Sequence, residues 1–158
     1  MESILETENK SGTLWNVVRD GDSRIRGIYE RHYSARKNGA TIRGTHSWNR
    51  ICGPGEHLIL LTPLCDALFV WILQRYRADN QVGVNCAVFR NEGFVLSSIL
   101  IHQAEVLARE RWPLEWRLFT FIDGNKIRST NPGYCFVQAG WRRCGLSNKG
   151  LVILEKCK

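Results

Sequence analysis

The chain has no run of about 18 apolar residues, the length a membrane-spanning helix requires, so a transmembrane helix is excluded. It has no Cys-x-x-Cys pair: Cys52, Cys65, Cys86, Cys135, Cys144 and Cys157 lack the common spacing of zinc ribbons and dithiol redox centres. Six cysteines in 158 residues also fall well short of the ~8–10% that marks a disulfide scaffold. The first ten residues, MESILETENK, are acidic and polar, without the apolar stretch of a secretory signal. Cys65 and Cys86 stand in apolar surroundings and read as buried, reduced thiols. The expectation is a reducing, cytoplasmic setting with no membrane partner. No internal repeat or low-complexity segment interrupts the pattern.

What is present is ordinary for a globular chain. The 158 residues are 44% hydrophobic and 23% charged, enough for one domain with its own core. The charge balance is less ordinary, with a formal net charge of +7 and a pI near 9.3. A small basic domain points to a polyanion: nucleic acid, an anionic membrane or a phosphorylated cofactor. Solubility alone is the alternative.

Residues 1–12 read as a flexible N-terminus and 13–158 as a single domain. Leu14, Val17 and Val18, then Ile25, Ile28 and Tyr29, recur at helical spacing, which predicts one or two helices over 14–33. Segment 34–55 is rich in Gly, Ser, Thr and Arg and predicts a long loop of the kind that often carries function. Strands follow at 57–62 (HLILLT), 67–74 (ALFVWILQ) and 82–90 (VGVNCAVFR). A helix is expected over ~98–112, with Ser97 or Ser98 as its N-cap and Pro113 as its stop. Strand 117–122 (RLFTFI), a short helix from Asn131-Pro132 to about Ala139, and strands 141–144 and 151–155 complete the order. The first strands form antiparallel hairpins. The ~98–112 helix crosses over between two parallel strands.

This order resembles the GNAT acyltransferase superfamily. The segment Asn131-Pro132-Gly133-Tyr134-Cys135-Phe136-Val137-Gln138-Ala139-Gly140-Trp141 is similar to that superfamily's late helix-and-strand signature. The resemblance implies an α/β (α+β) fold: a mixed, mostly antiparallel central sheet of about six strands with helices on both faces. It also implies acetyl-CoA or another acyl-CoA as cofactor. One loop departs from the superfamily's Gly-rich pyrophosphate pattern: Arg90-Asn91-Glu92-Gly93-Phe94-Val95-Leu96-Ser97-Ser98 holds one glycine and an acidic residue. The tail IRSTNPGYCFVQAGWRRCG, with GLVILEK after it, is similar to the Mom family of phage DNA-modification proteins. That resemblance implies transfer of a carbamoylmethyl group to adenine N6, a double-stranded DNA substrate, protection from restriction, and an iron site.

Several residues are candidates for this chemistry. The acyltransferase resemblance implies that Tyr134 is the general acid that protonates a departing thiolate; the alternative is packing in the core. Asp123, after a strand end, could accept a proton from an amine, or it is a turn residue. Ser97, Ser98 and Asn131 are candidate cofactor-binding residues whose alternative is helix capping. Arg31, Tyr33, Arg36, Lys37, Arg43, Trp48 and Arg128 are candidate DNA contacts, the aromatics as stacking platforms for an extruded base. His32 and His46 are candidate metal ligands. His57 and His102 read as structural or surface residues. Two rival readings stand beside the DNA transferase: an acyl-CoA-dependent N-acetyltransferase acting on a small molecule or protein, and a non-enzymatic basic DNA- or protein-binding phage module.

Overall fold

The computed structural model describes residues 12–35 and 50–158. In these, the apolar stretches become β1 (Asn16–Val18), β2 (Glu56–Leu61), β3 (Ala67–Leu73), β4 (Val84–Asn91), β5 (Arg117–Ile122), β6 (Arg142–Leu146) and β7 (Val152–Cys157). The helices are α1 (Ser23–Glu30), α2 (Ser97–Arg111) and α3 (Tyr134–Gln138). The strands form one open sheet in the order β1-β2-β3-β4-β5-β7-β6. Every neighbouring pair is antiparallel except β4 and β5. That parallel pair is joined through α2, the crossover a parallel connection demands.

Side-chain alternation divides the core between two faces. Leu58, Leu60, Phe69, Trp71 and Cys86 pack on the α2 face with Leu100, Ile101 and Ala104. Ile59, Leu61, Leu68, Val70 and Val88 pack on the other face with Ile25 and Ile28 of α1. Tryptophans fasten α2 to the sheet. Trp15 Nε1 donates to the Leu100 carbonyl at 2.9 Å and Trp71 Nε1 to the Ala104 carbonyl at 3.1 Å, one helical turn apart. Trp141 Nε1 donates to the buried Glu105 carboxylate at 2.6 Å, and Lys156 Nζ donates to the same carboxylate at 2.7 Å.

Two expectations are corrected. The stretch 14–33 is an edge strand followed by one helix. Val18 is buried while Val17 is exposed, so pairing with β2 overrides the apparent helical spacing. The helix itself begins only after Asp22, whose carboxylate accepts from the Arg24 N–H at 3.0 Å. The sheet has seven strands, one more than expected, and the added one is β1. The flexible-terminus expectation for 1–12 lies outside the described residues except at residue 12.

Candidate active site

The parallel pair separates partway along its length. β4 and β5 pair only from Val84, Asn85 and Cys86 to Leu118, Phe119 and Thr120. At that point β4 also slips in register against β3: Val70 opposes Val88, Trp71 opposes Cys86, and Ala87 is the extra residue of a bulge. Thr120 Oγ1 donates to the Cys86 carbonyl at 2.9 Å, which closes the last rung. Beyond it the two strands diverge around a cavity of about 300 Å³. Such a crevice, at the carboxyl ends of parallel strands, is where open α/β sheets hold ligands.

The sequence candidates sort themselves around this crevice. His32, Tyr33, Asn131 and Tyr134 all line it, with Cys86, Phe89 and Thr120 from the strands. His32 and Tyr33 come from the end of α1 and stack at 4.4 Å. The Ser34 N–H donates to His32 Nδ1 at 3.1 Å, so the neutral ring carries its proton on Nε2. Burial, helped by the nearby Arg90 charge and opposed by a hydrogen bond to the Phe89 backbone, holds the His32 pKa down to about 4. Burial likewise raises the Tyr33 pKa, so its phenol stays protonated. Tyr134 opens α3 and is half-exposed. Gly133 stands before it at φ +81, where a Cβ would meet the Leu154 side chain at 2.9 Å. The close approach of this turn to the sheet therefore requires glycine.

Asn131 does not cap α3, because the capping position belongs to Gly133. Its Oδ1 instead accepts from Arg143 at 3.2 Å. Ser97 and Ser98 are not caps either. Leu96 occupies that position, and the serines are the first two residues of α2. Ser97 Oγ accepts from the Asn91 side chain at 3.0 Å. Neither serine lines the crevice. Asp123 lies just past β5 as a turn residue, its carboxylate accepting from the Asn125 N–H at 3.0 Å with Lys126 at 3.8 Å. It too is outside the crevice lining. Arg128 is exposed between Ile127 and Ser129, which do line it. The candidates Arg36, Lys37, Arg43, His46 and Trp48 lie outside the described residues.

The loop after β4 is built differently from a phosphate cradle. The Gly93 N–H donates to Asn91 Oδ1 at 3.0 Å, and Asn91 Nδ2 donates to the Val95 carbonyl at 2.7 Å. Glu92 is clamped by Arg31 at 2.6 Å and by Arg90 at 2.7 Å. The Arg31 guanidinium first, with Arg90 beside it, pulls the Glu92 pKa down to about 2. The acidic residue is thus over-neutralised by two arginines. Arg31 ties the end of α1 to this loop and is already engaged by a carboxylate. Sequence reading missed Phe89, Thr120 and the Ala87 bulge, because no local pattern announces where two distant strands part.

Among the described residues no helix is long and apolar enough to cross a membrane. All six cysteines are free. Compared with known proteins, the chain matches no family model and no curated sequence.

Proposed function

We propose that this chain is a GNAT-like transferase that adds a small carbamoylmethyl or acyl-derived group to the N6 amino group of adenine in DNA. The observation that carries the reading is the convergence of Tyr33, Asn131 and Tyr134 on one crevice at the parting of the parallel strands. These residues were singled out by separate sequence patterns 98 or more positions apart in the case of Tyr33 and its two partners.

The adenine amine is a weak nucleophile, since its lone pair is delocalised into the ring. Catalysis therefore needs an oriented amine and a stabilised leaving group. A thioester donor, when bound, would supply an electrophilic acyl carbon and a sulfur leaving group, which gives the acyl-derived product; a carbamoylmethyl group, joined to N6 through its methylene, would need a donor with a leaving group on that methylene. The crevice lining suits its narrow arm: mostly apolar walls from Cys86, Ala87, Phe89 and Ile122, with hydroxyls at Thr120 and Tyr134. The loop after β4 suits its pyrophosphate poorly, because Asn91 occupies the Gly93 N–H. In this scheme the Tyr134 hydroxyl donates a proton to the departing group. Asn131, held by Arg143, orients the acceptor. Tyr33, kept neutral, offers an aromatic face to an extruded base. Asp123, whose backbone hydrogen-bonds to the crevice-lining Tyr33 phenol, accepts the amine proton. Lys126 and Arg128, exposed on either side in sequence of the crevice-lining Ile127, suit the phosphate backbone. No step is routed through iron: among the described residues His32 belongs to no group of three His, Cys, Asp or Glu side chains close enough to share an ion, and His46 lies outside them.

Mass spectrometry of nucleosides from plasmid DNA, grown with and without the protein, tests this reading. A heavier deoxyadenosine supports it, and its mass identifies the group. Unmodified DNA with tight acetyl-CoA binding favours the small-molecule or protein acetyltransferase. Unmodified DNA with salt-sensitive binding favours the non-enzymatic module.

A further inference from the structure

A second cluster lies on the opposite side of the sheet from α2, near the β1–β2 edge. Asp20 follows β1, Cys52 precedes β2, and His57 is the second residue of β2. One ligand-capable atom of each side chain lies within 4.8 Å of those of the other two. Among the described residues this is the one group of three or more such side chains with that spacing. None of the three belongs to the crevice between β4 and β5.

The backbone holds the cluster in place. The two Asp20 oxygens accept from the N–H groups of Ile51 at 2.7 Å and Cys52 at 3.1 Å. The Cys52 thiol also hydrogen-bonds to this carboxylate, and the same proton must leave before sulfur and carboxylate can share an ion. The backbone bonds fix the Asp20 carboxylate against the Cys52 backbone, the outer-sphere arrangement that orients a metal ligand. Cys52 is buried among the apolar residues of the α1 face. His57 is exposed and, with Asp20, lines a cavity of about 820 Å³ that leaves room beside the cluster. A thiol nucleophile is the rival reading for Asp, Cys and His in contact. It is disfavoured because Cys52 is packed among apolar side chains and does not itself line the cavity that a substrate would enter.

We propose that Asp20, Cys52 and His57 form a binding site for one zinc ion, with the fourth coordination place open toward the large cavity. One thiolate, one imidazole and one carboxylate are a zinc donor set, and three protein ligands with an open place are the pattern of sites that keep a water or take a ligand. Binding forms the zinc–sulfur bond and releases the thiol proton to solvent. The ion would tie the end of β1 to the start of β2, at the edge of the sheet where β1 is only three residues long. The site is independent of the transferase reading.

Cobalt(II) tests it, since its spectrum reports the ligands directly. The full-length protein, stripped with chelator and kept reduced, is titrated with Co²⁺ and then with Zn²⁺. The expected result is a thiolate-to-cobalt charge-transfer band with visible bands of tetrahedral strength, saturating at one equivalent and bleached by zinc. Cys52→Ser should abolish the charge-transfer band. His57→Ala, at an exposed position that should leave folding intact, should weaken Co²⁺ binding at least about tenfold, the lower end even for an outer-sphere partner. Cys144→Ser, at an exposed thiol elsewhere, should change nothing. The absence of a charge-transfer band in the unaltered protein, its survival in Cys52→Ser, or undiminished affinity in His57→Ala would each overturn the assignment.

Discussion

Replacing Gly133 by alanine should destabilise the protein through two separable costs. Gly133 holds φ +81, and a residue with a Cβ in the left-handed region costs ~1–2 kcal/mol. The new methyl would also stand 2.9 Å from Leu154 Cδ1 and 3.2 Å from Ile122 Cγ1. Leu154 is fully buried and Ile122 nearly so, so neither can swing aside into solvent. Overpacking of this kind costs ~1–3 kcal/mol. Together the loss is about 3 kcal/mol, a large share of the ~5–15 kcal/mol typical of a domain. For a chain of this size that lowers the melting temperature by roughly 6–12 °C. Thermal unfolding followed by circular dichroism measures it. Because Gly133 also sets the start of α3, transfer activity should fall even at temperatures where the variant is folded. A melting temperature within about 1 °C of the parent would refute the argument that this turn is closed by a close approach only glycine permits.

Tyr134→Phe should stay folded, since the side chain is half-exposed, and should lose ~10²-fold or more of transfer rate, the scale of general acid catalysis; a steady-state rate assay checks it. Arg117 donates to Glu155 at 2.6 Å with both side chains about nine-tenths buried, but Arg142 also holds that carboxylate at 2.7 Å, so Arg117→Ala should cost less than the ~3–5 kcal/mol of a stranded buried charge, about 2 kcal/mol in a denaturant titration. His32 should make stability pH-dependent. Its folded pKa of about 4 lies below the ordinary 6.5, so the unfolded chain binds more protons between those values. Stability should therefore be complete above pH 6.5 and fall by up to about 3 kcal/mol as the pH drops toward 4, a slope that His32→Gln should remove in melts across that range.

The architecture was largely readable because its signals are local. Strand 117–122 is a short apolar, aromatic-rich run, and β5 occupies those residues. The crossover helix was readable from its apolar spacing and from Pro113, and only its capping was misjudged: the serines lie one and two positions inside the helix. β1 was hidden because three residues cannot show a period. Its strand character exists only in pairing with β2. The site was readable in part. The Asn-Pro-Gly-Tyr turn and the His-Tyr pair carry chemistry in their residue types. That they meet was not legible, since it depends on the bulge at Ala87 and on where β4 and β5 part. The engagement of Arg31 by Glu92, 61 positions away, was equally invisible to any local pattern.

The most direct test of the central claim compares nucleosides from DNA exposed to the parent protein and to Tyr134→Phe, by mass spectrometry. The account predicts a heavier deoxyadenosine with the parent, reduced ~10²-fold or more with a folded variant. Equal modification by both proteins would remove the crevice hydroxyl from the chemistry, and unmodified adenine in both would contradict the DNA transferase itself.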